Sequence, residues 1–405
     1  MRVLLIHQAF SSPEDPGGTR HFEFARMCTH KGIRFNIVGS CVNYLTGHRC
    51  GNEKTLPKRE IIQGINISRA YALNAHHRSF IWRFFSFIIF MFSSVWSGLR
   101  AGPVDLVIAT SPPIFQSLSA WFLALIRKKP VLLEIRDLWP EFAIDMGILK
   151  NHLLIKMSRY LELFLYSRAT HILVNSPAYR GYLIKKGISD DKISLISNGV
   201  DIKMFNPQNR GENIRKKIGL NDSFVITYAG ALGLANDIPS ILKAAYHLKS
   251  NKNIHFLLVG DGKERNKLET LKTELNLKNV TFFGAISKNM IPEILSVSNA
   301  CIATLINIPM FRSTYPNKVF DYMAAGRPTI LAIDGVIREI IEACKGGIYV
   351  TPGNDLEIAN AIRFLSQNID EAREMGNRAR IYVEKYFNRQ HQSEAFVELI
   401  EHICV

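Results

Sequence analysis

The sequence predicts an α/β protein made of two doubly wound domains. Three observations carry that prediction. The chain has 405 residues, more than one ordinary core serves. Short apolar runs alternate with longer amphipathic segments, the pattern of parallel strands joined by helices. The runs fall into two series, parted at SNGVDIKMFNP, where Asn198-Gly199 is a turn pair and Pro207 stops any continuation. The expected domains are 1–200 and 201–387. A final helix at 388–405 is expected to pack back on the first domain.

Strands of the first domain are expected at 3–6, 35–39, 104–109, 131–135, 171–174 and 193–196. Those of the second are expected at 224–228, 255–259, 280–283, 300–303, 329–332 and 348–350. Ligands of such sheets bind beyond the carboxyl ends of the strands, so a cleft between two domains is the expected place for chemistry.

Composition narrows the class. Hydrophobic residues make up 47% and charged residues 21%, which excludes a disordered chain. The net charge of +15 is uneven. Residues 1–200 hold 25 Lys+Arg against 13 Asp+Glu, and 201–405 hold 25 against 22. The first half is expected to meet something anionic. Cys28, Cys41, Cys50, Cys301, Cys344 and Cys404 form no CxxC pair and no zinc-ligand cluster, so they read as free thiols. The opening MRVLLIHQAF is too short in apolar residues for a secretory h-region and reads as a first strand.

Taken in order, the loops nominate the chemistry. After the first strand, Gly17-Gly18 opens a helix, where backbone N–H groups can approach an anion and Arg20 can add charge. The plain alternative is a Pro-Gly turn. Residues 78–100, RSFIWRFFSFIIFMFSSVWSGLR, are the most apolar stretch. Sixteen uncharged residues between Arg83 and Arg100 are short for a span of about 20. Trp82, Trp96 and the flanking arginines favour a helix lying in a membrane surface over a spanning or buried one. ATSPPIF follows the third strand. LLEIRDLWPEFA then places Glu134, Arg136 and Asp137 at a strand end, either an active-site group or an ion pair bracing the loop.

In the second domain, Gly230 and Gly233 follow a strand and face a helix start. Gly260-Asp261-Gly262 follows the next strand without completing GxGxxG, and NVTFFGAIS repeats the strand–glycine theme. PNKVFDYMAAGRPTI then puts Lys318 and Asp321 on the first turns of a helix between two strands. Alone they read as a surface pair three residues apart. Aligned with three glycine loops they read as a lysine at phosphate and an aspartate at ribose. No DxD triplet, P-loop or GxSxG elbow occurs.

These motifs, PGGTR, TSPP, RDLWPE, SNGVD, YAG, VGDG and PNKVFDYMAAGRP in that order, resemble the nucleotide-sugar glycosyltransferases of the GT-B fold, in family 4. Within that group the chain is most similar to O-antigen (lipopolysaccharide) and capsule polysaccharide enzymes, including N-acetyl-L-fucosamine transferases. The resemblance implies two Rossmann-like domains facing across a cleft, a UDP-sugar held by the second and an undecaprenyl-diphosphate-linked saccharide presented by the first. It implies retention of anomeric configuration, no metal or other cofactor, and peripheral attachment to the inner face of the cytoplasmic membrane. Donor-binding residues would be Gly230, Gly233, Gly260, Asp261, Gly262, Ile286, Asn317, Lys318 and Asp321. Gly17, Gly18 and Arg20 would form the acceptor and phosphate loop, and Lys318, Arg136 and Asp137 would be catalytic. The chain departs from the family at Ser313, where the first acid of its E-x7-E pair belongs, at Asp321, an Asp in place of the second Glu, and at Ala231-Leu232, where an Arg is common. Competing readings are a UDP-sugar 2-epimerase of the same shape and a non-catalytic membrane scaffold. Nucleic-acid binding lacks any recognition motif.

Overall fold

The computed structural model describes residues 1–15, 17–44, 46–49, 58–74, 80–209, 211–220 and 223–404. Cys50 and residues 78–79 of the apolar stretch lie outside them. The chain divides into two compact units. Unit 1 is Met1–Pro13, Gly17–Ser197 and Gln390–Val405, and unit 2 is Asn198–Arg389 with a short piece at 14–16.

Unit 1 holds an eight-stranded sheet: β1 (Arg2–Ile6), β2 (Arg34–Ser40), β3 (Lys58–Ile62), β4 (Ile65–Ala70), β5 (Leu106–Ser111), β6 (Val131–Ile135), β7 (His171–Val174) and β8 (Ile193–Leu195). Their spatial order is β3-β4-β2-β1-β5-β6-β7-β8, and all pairs but β3–β4 are parallel. Strands β5 and β6 are buried at every position, as central parallel strands covered on both faces must be. The order reverses between β1 and β5, so the loops after these strands diverge and open a crevice.

The β3–β4 hairpin is a departure from the sequence reading, which places no strand between 40 and 104. Its signal is present in EIIQGINI. Gln63 and Gly64 both have positive φ (50° and 79°), the geometry of a two-residue hairpin turn. Strand β5 also starts two residues later than expected, just after Asp105, whose carboxylate accepts from the backbone N–H and the guanidinium of Arg2.

Unit 2 holds β9 (Phe224–Ala229), β10 (Ile254–Val259), β11 (Val280–Gly284), β12 (Ala300–Thr304), β13 (Thr329–Ala332) and β14 (Gly347–Tyr349). The order is β11-β10-β9-β12-β13-β14, parallel throughout. Its switch point lies between β9 and β12. The helix Asn317–Ala324 connects β12 to β13 and buries Val319, Phe320, Tyr322 and Met323, so its amino end stands at the carboxyl edge of the sheet.

The last helix, Arg389–Cys404, belongs from Gln390 onward to unit 1, where Phe396, Val397 and Ile400 complete the core beneath β1 and β2 and Phe396 stacks on Phe24 at 4.4 Å. The chain therefore leaves unit 1 after Ser197 and returns after Arg389. The two crossing segments pair: Val200 bridges Asn388, and the Arg389 guanidinium donates to the Gly199 carbonyl.

Candidate active site

In unit 2, three glycine loops are laced together by their backbones. Gly230 N–H donates to Val259 O (2.9 Å), Leu232 N–H to Asp261 O (2.9 Å) and Gly260 N–H to Gly284 O (2.7 Å). The approach is too close for side chains. A Cβ at Gly260 would lie 1.9 Å from the Gly230 carbonyl oxygen, and one at Gly262 would lie 2.5 Å from that of Leu232. A Cβ at Gly233 would make only an ordinary contact, 3.9 Å from Asn236 Nδ2, so its lack of a side chain is not forced by packing. Asp261 uses one carboxylate oxygen to accept from the next N–H, Gly262 (2.7 Å), which fixes the turn. Ile286 is half-buried two residues beyond Gly284.

Lys318 enters this cradle from its helix. Its Nζ donates to Tyr228 Oη (2.8 Å) and Asn236 Oδ1 (2.7 Å) and lies 4.3 Å from the Tyr228 ring centroid. Tyr228 Oη in turn donates to the Ala231 carbonyl (2.8 Å). An ammonium has three N–H donors, so one is left for a ligand. A Cβ at Gly230 would sit 3.0 Å from Nζ and 3.0 Å from Tyr228 Oη, so any side chain there would crowd the lysine. No carboxylate among the described residues pairs with Lys318, and burial lowers its pKa to about 7. No side chain caps the amino end of its helix, which leaves N–H groups for an anion. Asn317, the first helical residue, keeps a buried Oδ1 without a hydrogen-bond partner.

The Lys318–Asp321 pair read from sequence as the plain alternative does not form. Asp321 instead accepts from Lys288 Nζ with both oxygens (2.6 Å each). Sequence reasoning gave no role to Lys288, and its neighbourhood in SKNM carries no motif. Ser313 donates its hydroxyl to the Met310 carbonyl. Tyr228 and Asn236 were also unassigned. Their only sequence signal is position, at and just beyond the end of the strand that carries YAG.

In unit 1 a polar network fills the crevice beside β1, β5 and β6. Glu134 is fully buried, accepts from Arg20 Nε (2.7 Å) and is bonded to His21 Nε2. Burial works to raise its pKa, but His21 and Arg20 outweigh it and hold the carboxyl well below the usual range. Arg20 also donates to the Ile196 and Ser197 carbonyls (2.6 Å each). This corrects the expectation for Arg20. It is 2% exposed and serves the core, not a phosphate loop. The reason is register: Gly17 and Gly18 precede the helix Arg20–His30, and its first turn directs Arg20 inward to β6. Gly18 is exposed, and Gly17 (φ 140°) passes so near Ser11 that a Cβ would meet its Oγ at 2.5 Å.

Arg136 and Asp137 sit at the end of β6, and the Arg–Asp brace considered from sequence is absent. Arg136 Nη1 lies 3.3 Å from His7 Nε2, while Nε is buried without a partner. His7, the residue after β1, bonds through Nδ1 to Thr110 Oγ1 (2.8 Å), and burial, His21 and Arg136 all keep it neutral. The Asp137 carboxyl is raised to about 6 by burial, against the pull of Arg136. The structure thus gathers His7, Thr110, Arg136 and Asp137 at one crevice and seals Arg20, His21 and Glu134 beneath it.

Comparison with known proteins adds the family. Residues 23–203 match the family model Glycosyltransferase Family 4, and residues 211–382 match Glycosyl transferases group 1. A relative from Escherichia coli, UDP-Gal:alpha-D-GlcNAc-diphosphoundecaprenol alpha-1,3-galactosyltransferase, is 30% identical over 182 residues, 43% of this chain and 45% of that protein. The chain spans between 40% and 45% of the length of three such curated relatives. Sucrose-phosphate synthase from Thermosynechococcus elongatus superposes with a TM-score of 0.79 at 18% identity, covering 100% of this chain and 99% of that one. Anabaena HepE in complex with UDP-glucose gives 0.75 at 18%, covering 99% and 100%.

Proposed function

We infer that this chain, a GT-B protein that joins a glycosyltransferase family 4 domain to a group 1 glycosyl transferase domain, transfers a sugar from a UDP-sugar to a lipid-diphosphate-linked saccharide. Unit 2 takes the donor, and unit 1 takes the acceptor. The observation that carries this reading is Lys318, an ammonium held by two neutral partners in a bare glycine cradle with one donor to spare.

The chemistry follows from charge. As the glycosidic bond breaks, negative charge grows on the leaving diphosphate. A fixed cation and unpaired N–H groups at that point favour the transition state over the ground state. Lys318 and the amino end of its helix supply both. A diphosphate also returns to Lys318 the charged form that burial disfavours. The reading includes transfer with retention, without a metal, since the sequence has no DxD triplet. Arg136 and Asp137 contact the transferring sugar. Asp321 meets the ribose, with Lys288 fixing the direction of its carboxylate. The donor sugar we favour is an N-acetylated deoxyhexosamine such as N-acetyl-L-fucosamine, in O-antigen or capsule synthesis at the inner face of the cytoplasmic membrane. The galactosyltransferase relative, named for a UDP-sugar and a diphosphoundecaprenol acceptor, supports that substrate class.

The test is incubation of the purified protein with a panel of UDP-sugars and a lipid-diphosphate acceptor, read by mass spectrometry of the lipid. A lipid gaining one sugar supports the reading. Conversion of the UDP-sugar to its 2-epimer with the lipid unchanged overturns it. Thermal stabilisation by UDP is the quicker check, and no shift at millimolar UDP counts against the cradle.

A further inference from the structure

The helix Phe80–Leu99 of unit 1 is built inside out. It buries Ser86, Ser94 and Ser97 at 5%, 0% and 3% exposure, with Phe90 the one buried aromatic among its described side chains, and turns Phe85, Phe92 and Trp96 outward at 51%, 67% and 56%. A helix covering a water-soluble core does the reverse. Only 28% of its apolar window Trp82–Leu99 is buried. The small inward side lets the next helix close in: a Cβ at Gly98 would lie 2.4 Å from Leu123, and Ser119 Oγ donates to Met91 O.

That next helix, Phe115–Arg127, is also apolar outward, exposing Phe122, Leu125 and Ile126. It lies against the first through Phe84 and Phe115, whose rings are 5.5 Å apart. On its other side Trp121 meets Phe164 of the helix His152–Arg168 at 5.1 Å. This third helix exposes Leu153, Met157 and Tyr160 at 66%, 59% and 75%, a stripe at i, i+4 and i+7. Three adjacent helices of one unit thus present large apolar side chains, far more than the scattered singles of a soluble surface.

Charge identifies the occupant. Residues 61–133 contain seven Lys or Arg, of which Arg69 is buried against Glu60, and one acid, Asp105, which is held by Arg2. The third helix has one acid, Glu162, fully buried and bonded to Lys186. No carboxylate is exposed on any of the three helices. Arg100 stacks on Trp96 at 4.2 Å, and Lys128 and Lys156 are exposed beside the apolar stripes. A second copy would bring two basic faces together, whereas an anionic bilayer answers both the apolar stripes and the cations.

We propose that unit 1 docks on an anionic lipid surface through a face shared by these three helices, not by the first alone. This deepens the reading of a membrane-surface enzyme, and its test does not depend on transfer. The full chain, without donor or acceptor, is floated with vesicles of phosphatidylcholine with or without about one-third phosphatidylglycerol. Wild type binds the anionic vesicles at least about tenfold better than the neutral ones. Three double variants follow: Phe92→Ser with Trp96→Ser, Leu125→Ser with Ile126→Ser, and Leu153→Ser with Met157→Ser. Each loses binding about tenfold or more, with thermal unfolding and stabilisation by UDP unchanged. Wild type that fails to float overturns the proposal, as does loss confined to the first pair. A concentration-dependent dimer that the same substitutions abolish, without vesicle binding, would assign the face to a second copy and also overturn it. Sugar transfer to a soluble acceptor analogue survives any of these failures, which separates them from failure of the enzymatic reading.

Discussion

At the scale of the residue, Lys318 decides most. Replacing it by Ala removes one preorganised donor, and turnover at saturating donor should fall at least about a hundredfold, roughly 3 kcal/mol, with unfolding little changed. Its titration gives a second prediction. The native pKa is about 7 against an ordinary 10.5. Between those values the native state binds fewer protons than the unfolded chain. The penalty for burying the charge is therefore full at and below pH 7 and disappears as pH rises to 10.5. A bound diphosphate favours the charged form, so binding above pH 7 takes up a proton. UDP affinity should weaken by up to about tenfold per pH unit as pH rises past 7, and calorimetry in buffers of different ionisation enthalpy should count the proton. Binding that is flat from pH 6.5 to 8.5 would place the diphosphate elsewhere. Lys318 itself was legible from its helix and its motif. Its partners Tyr228 and Asn236 were not, since 90 and 82 residues separate them from it.

At the scale of the element, two glycines of one cradle should behave differently. Gly260 has φ 141°, and a Cβ there would strike the Gly230 carbonyl, which is backbone and cannot step aside. Gly260→Ala should cost unit 2 about 3 kcal/mol or more, read as a lowered midpoint of unfolding. At Gly230 the new methyl would meet the flexible end of Lys318 and the Tyr228 hydroxyl, each at 3.0 Å, instead of backbone. Gly230→Ala should leave the fold intact and weaken UDP binding about tenfold as the ammonium shifts. The helix Arg20–His30 gives the converse case. Arg20→Met leaves an ionised Glu134 in the core with His21 as its remaining partner, at about 3–5 kcal/mol, and should lower the melting of unit 1 without moving the donor KM. The sequence showed a cation beside a glycine pair. Which way it pointed depended on the first turn of that helix and on a carboxylate 114 residues away.

At the scale of the molecule, the chain closes unit 1 with its own last helix. Deleting 390–405 removes Phe396, Val397 and Ile400 from the core. At roughly 1.5–3 kcal/mol per buried side chain the loss exceeds what a marginally stable domain holds in reserve. Calorimetry should show the unit 1 transition lowered or absent while the unit 2 transition stays near its wild-type temperature.

By itself the sequence determined the two series of strands, their parallel pairing, the join near residue 198 and the glycine and lysine motifs of unit 2. These are local properties: an apolar run, a turn pair or a bare loop is written in a few neighbouring residues. Only the tertiary structure decided what distant side chains do. It turned Arg20 into the core, gave Asp321 to Lys288 and Lys318 to Tyr228 and Asn236, and placed the β3–β4 hairpin, whose turn is locally written, at the sheet edge. It also set Ser86, Ser94 and Ser97 of the helix Phe80–Leu99 inward beside Phe90, and Phe85, Phe92 and Trp96 outward. Composition reports how apolar a helix is, but which side faces the protein depends on the packing of neighbours that the local sequence does not contain.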